Sequence, residues 1–130
     1  MMTTIQRFED LEAWKIAREL TKNIYGITKH DGFSRDYGLK DQICRASVSI
    51  MSNVAEGFER DGDKEFANFL SIAKGSAGET RSLLYVALDL EYISEAEFNL
   101  ISARAIENSR VISGLSNYLR QSDLKGRKFK

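Results

Sequence analysis

One stretch of the chain, RASVSIMSNVAEGF at residues 45–58, carries Ser49, Ser52, Asn53 and Glu56, side chains that could furnish a nucleophile, an orienting amide and a base. Serine chemistry needs a base beside the hydroxyl and a third group to orient that base. The single histidine, His30, falls instead in a predicted turn beside Asp31 and Gly32. No Glu-x-x-His pair of the di-iron type is present. The acids of GFERDGDKEF lack the twelfth-position glutamate of a calcium loop. The sequence therefore predicts no catalytic residues, no metal site and no cofactor.

A second set suits binding. Lys74 and Arg81 stand seven apart with Gly78 between them and Tyr85 one turn beyond, so a helix would carry two cations, little steric cover and an aromatic ring along one face. Nucleic-acid phosphates and bases are met by such side chains. The tail KGRKFK adds Lys125, Arg127, Lys128 and Lys130. Solvated helix charges are the plain alternative for both sets. The formal charge of zero, from 19 basic and 19 acidic residues, confines any anionic partner to a local patch. Four cationic contacts per chain would give a salt slope of only about −3 on a single strand. Repeated around a symmetric assembly, such patches gain avidity of about 10² or more.

The elements that must position these residues are helical. A chain of 130 residues fits one domain and can bury roughly two-thirds of its unfolded surface. It has no proline, so nothing interrupts long helices. The lone Cys44 excludes an intrachain disulfide and suits a reducing cytosol, where it would serve as a small buried hydrophobe. The N-terminus has no apolar leader and no run of about 18 apolar residues occurs, so a cytoplasmic protein without a membrane span is expected.

Apolar spacing predicts helices over about 9–29, 35–57, 64–91 and 95–121, with HDGF and DGDKEF as turns and Ser94 and Glu97 as a capping box. Gly32 is available for a left-handed turn. Residues 122–130 read as a loose basic tail. The fold class is all-α, an antiparallel up-down-up-down four-helix bundle.

On the second helix, Leu39, Ile43, Cys44, Ser47, Val48, Ile50, Met51 and Val54 span about 180°, wider than the stripe of a little over 100° that a bundle helix needs. Ser49, Ser52, Asn53 and Glu56 fall on the opposite, solvated half. The first helix adds Leu11, Trp14 and Tyr25 outside its core stripe, and the fourth adds Leu100, Val111 and Tyr118. Surplus apolar surface of this kind marks interfaces, so a homo-oligomer is predicted through these residues with Cys44, Val48 and Met51. The third helix carries a separate seam of Ser71, Gly75, Gly78 and Ser82. Two helical glycines cost about 1 kcal/mol each relative to alanine, which implies a compensating close neighbour.

The phrases FEDLEAWKIARELTKNIY, LKDQICRASVSIMSNVAEGFER, KEFANFLSIAKGSAGETRSLL and ALDLEYIS, in this order and spacing, resemble the four-helix bundle family associated with intervening sequences in bacterial 23S ribosomal RNA genes. The resemblance spans about residues 8–120. It implies a cytoplasmic, barrel-like homopentamer with a central opening and no known enzymatic activity. A similar fold belongs to the accessory variability determinant of diversity-generating retroelements, which is pentameric, binds nucleic acid and docks on a reverse transcriptase. That relative is markedly basic, whereas this chain is neutral. The expected function is non-catalytic association with RNA or a ribonucleoprotein. The alternative is an interaction scaffold or accessory subunit, for example of a reverse transcriptase, without nucleic-acid contact.

Overall fold

The computed structural model describes residues 5–128, and the side chains of residues 5–122. A 3-10 turn, Phe8–Asp10, leads into helix α1, Glu12–Ile27. A short helix α2, Asp31–Arg35, precedes the long helices α3, Tyr37–Glu59, α4, Asp63–Asp89, and α5, Glu95–Lys128. Among the described residues these five helices are accompanied by no strand.

The four long helices pack as neighbours in chain order, α1 on α3, α3 on α4, α4 on α5, and α5 back on α1. Connections as short as residues 60–62 and 90–94 make successive helices antiparallel. Between them lie Leu20, Ile24, Ile43, Ile50, Val54, Leu70, Leu84 and Ile112, all fully buried. Each such side chain contributes about 1.5–3 kcal/mol by leaving water. Ile43, Ile50 and Val54 belong to the stripe predicted for the second helix, because helical spacing of three and four brings them onto one face.

The start of the fifth helix is built as the sequence predicts. The Ser94 backbone N–H donates to Glu97 Oε1 at 2.9 Å, and the Glu97 N–H donates to Ser94 Oγ at 3.1 Å. Small Ser47 is fully buried, and its carbonyl accepts from Thr21 Oγ1 at 3.2 Å, which fastens α1 against α3.

The connection after α1 differs from the expected turn. Gly32 is helical, and the described glycine with positive φ is Gly62, at 91°, where it caps α4. Gly32 is needed for closeness instead: a Cβ there would stand 2.9 Å from the Tyr92 ring. Phe33 is fully buried and stacks on Tyr92 at 5.4 Å, while the Tyr92 hydroxyl donates to Asp36 Oδ2 at 2.9 Å. Asp36 Oδ1 also accepts from the Leu39 N–H at 3.1 Å, capping α3. A segment expected as a simple turn is thus docked on the α4–α5 connection by an aromatic pair that no local pattern announces.

The far end of α5 also departs from expectation. The helix runs to Lys128, seven residues past the expected Gln121, so residues 122–128 are helical rather than loose. They contain no proline to stop the helix. The side chains of Lys125, Arg127 and Lys128 lie outside the described residues, and Lys130 does so entirely.

Candidate functional site

Helix α4 sits between α3 and α5 and presents its remaining face outward. Its three predicted contact residues lie along the edge toward α5. Lys74 is exposed over a groove walled by α5, and Tyr85, 52% exposed, meets Phe98 of α5 edge-on at 4.7 Å. Arg81 lies between them and is half-buried; its Nε is covered and has no hydrogen-bond partner among the described residues. The spacing of seven and four that suggested one face therefore does place the three along one edge, though with unequal access.

The groove beside Lys74 contains residues that sequence reasoning missed. Leu70, Ser71 and Lys74 line it from α4, and Ile112, Ser113, Ser116, Asn117 and Arg120 line it from α5, around about 360 Å³. Arg120 Nη2 donates to Ser71 Oγ at 3.2 Å across the helices. A signal existed in the sequence: Ser113, Ser116, Asn117 and Arg120 share a helix face at spacings of three and four. Nothing in either helix alone reveals that this face meets Lys74.

The seam of Ser71, Gly75, Gly78 and Ser82 faces outward. A Cβ at Gly75 or Gly78 would meet nothing within 4 Å, so among the described residues these glycines have no close neighbour of the kind the sequence implied. Beside the seam stand Ile72, 54% exposed, and Val86, also exposed, neither of which was singled out from the sequence. They occur 14 residues apart, close to four full turns, so both return to one strip of α4.

The predicted interface residues are divided. Tyr25, Val48, Leu100 and Tyr118 are exposed, and Trp14, Met51 and Val111 are half-buried. Leu11 and Cys44 are corrected as interface residues: they are only 3% and 8% exposed, covered by their own chain, and Cys44 is instead the small buried hydrophobe that the sequence also predicts. Leu11 is drawn inward where the Phe8–Asp10 turn folds under α1, and Cys44 where α1 crosses α3. Burial holds the Cys44 thiol above its ordinary value, which keeps it protonated. Trp14 packs edge-on against Phe8 at 5.2 Å, under the Arg18 guanidinium. Tyr118 lines a hollow with Phe58, Arg60 and Gly62, whereas Tyr25 lies beside Lys40 and Cys44, near the other end of α3.

The stretch that opened the sequence question also divides. Ser52 and Glu56 are exposed, as predicted, and Glu56 pairs with Arg60 at 2.8 Å. Ser49 and Asn53 are not merely solvated: Ser49 Oγ lies 2.9 Å from Ser76 Oγ on α4, and Asn53 Nδ2 donates to the Ser49 carbonyl at 2.8 Å. Helix crossing covers that edge of the polar half. His30 Nε2 stands 2.7 Å from Glu97 Oε2, so His30 and Glu56 have separate partners. Among the described residues no three His, Cys, Asp or Glu side chains gather as metal ligands, and no helix is long and apolar enough to cross a membrane.

These features define an all-helical bundle protein with polar and apolar strips on α4 and α5. The chain belongs to the 23S rRNA-intervening sequence protein family, whose model matches residues 9–114. Comparison with curated proteins gives no match. A crystal structure of a protein with unknown function from the S23 ribosomal protein family of Bacteroides thetaiotaomicron has a similar fold, with a TM-score of 0.73 at 22% identity. The alignment covers 80% of this chain and 97% of that one.

Proposed function

We propose that this protein is a non-catalytic, self-assembling member of its family that associates with RNA or a ribonucleoprotein in the cytoplasm. The supporting observation is the outer strip of α4, where Ile72 and Val86 stand uncovered beside Gly75 and Gly78, next to the edge that carries Lys74, Arg81 and Tyr85. Apolar side chains around open glycines suit the close approach of a second backbone. A ring of copies, five if the family resemblance holds, would repeat the cationic edge around a closed assembly. Weak contacts per chain would then act together.

The test has two arms. Sedimentation at micromolar concentration should give a species several times the chain mass of 14.7 kDa. Filter binding to structured RNA should weaken with salt, with a slope growing by about 0.7 for each phosphate neutralised on single strands. A 14.7 kDa species overturns self-assembly. The zero formal charge favours a second reading, a protein-interaction scaffold or accessory subunit, for example of a reverse transcriptase. Absent or salt-insensitive RNA retention selects that reading.

A further inference from the structure

We propose that the groove between α4 and α5 is a site for a phosphate monoester, held by Lys74 and Arg120 with hydroxyl and amide donors from Ser113, Ser116 and Asn117. This deepens the RNA reading, on which it rests for the source of the phosphate, here the terminal phosphate of an RNA strand. Among the described residues no carboxylate lines the groove, although the chain has as many acids as bases. A lining with two cations and no acid is thus a local excess of positive charge, matched to a dianion more closely than to a singly charged backbone diester.

The placement of the donors supports the same ligand. Lys74 approaches from α4, and the other four approach from one face of α5, so the donors converge from two sides on about 360 Å³. Leu70 and Ile112 at its base are fully buried and limit competing water on that side. Ser71 takes a different part. Its hydroxyl donates to the Ala67 carbonyl at 3.3 Å, so its oxygen is left to accept from Arg120 Nη2 at 3.2 Å. Ser71 is therefore a positioning residue that fixes one arm of the guanidinium and leaves the rest of the fork for a second acceptor.

The probe is inorganic phosphate, titrated against the full chain with chloride at matched ionic strength as control. Phosphate is expected to shift the amide resonances of Ser113, Ser116 and Asn117 saturably, beyond any effect of chloride. Lys74→Gln and Arg120→Gln should each weaken binding about tenfold, as loss of a charge-assisted hydrogen bond predicts, and Ser71→Ala less. Lys22→Gln on α1 should change nothing. Because both substituted side chains are exposed, unchanged circular dichroism and melting should accompany the loss. A short oligoribonucleotide ending in a 5′- or 3′-phosphate should bind more tightly than its dephosphorylated form.

Phosphate shifts no larger than those of chloride, or undiminished binding by the Lys74→Gln and Arg120→Gln double variant, would overturn the site. Were RNA still retained on filters in that case, the RNA reading would survive without it. Saturable phosphate binding without RNA retention supports the groove while removing the RNA reading.

Discussion

Glu97 Oε2 and His30 Nε2 lie 2.7 Å apart, joining the start of α5 to the residue that precedes α2. The same carboxylate closes the capping box with Ser94. The Ser94 backbone hydrogen bond, and then the His30 contact, hold the Glu97 carboxyl below its ordinary value. A depressed carboxyl contributes stability that is present above the unfolded glutamate range and is lost as pH falls through the folded value. Glu97→Ala should therefore lower stability by about 1 kcal/mol near neutrality and narrow its gap to the parent chain in acid. Urea unfolding at a series of pH values from 7 down to 3 measures both effects. An undiminished gap at low pH would contradict the assignment.

Gly57 marks a close approach of α3 to α4. A Cβ there would stand 2.7 Å from Phe69 Cβ and 3.3 Å from the Phe66 carbonyl, neither of which is the tip of a mobile side chain. Gly57→Ala should destabilise the fold by about 1–3 kcal/mol despite the better helix propensity of alanine. Thermal or urea denaturation of the variant reads the sign directly.

Gly75 and Gly78 give the opposite expectation within one chain, because none of the described residues lies within 4 Å of an added Cβ. In an isolated subunit, alanine at either position should stabilise by up to about 1 kcal/mol. Where a second copy presses on α4, the same methyl would obstruct it. Gly75→Ala and Gly78→Ala should thus weaken assembly while raising the melting temperature of whatever monomer forms. Sedimentation and calorimetry on the same samples separate the two effects, and unchanged assembly would move the contact elsewhere.

Cys44 is buried and its thiol is held above the ordinary range by desolvation. It should react slowly with a thiol reagent at neutral pH and rapidly once denaturant opens the fold. Rates in the native chain that match those of a free thiol would place Cys44 at an accessible surface.

The sequence by itself determined the helical class and most of the core. Positions such as Leu20, Ile43, Leu70 and Ile112 recur at spacings of three and four, and that period belongs to the helix before any packing occurs. It also determined the Ser94–Glu97 cap, since both partners lie within one turn. Only the tertiary structure decided what each helix meets. Gly32 against Tyr92, Ser49 against Ser76, and Lys74 beside Arg120 are pairs from distant parts of the chain. Periodicity reports which face is apolar, not which partner covers it. For that reason Leu11 reads as surplus in the sequence although neighbouring elements close over it, and no pattern within α4 announces that Ile72 and Val86 stay outside.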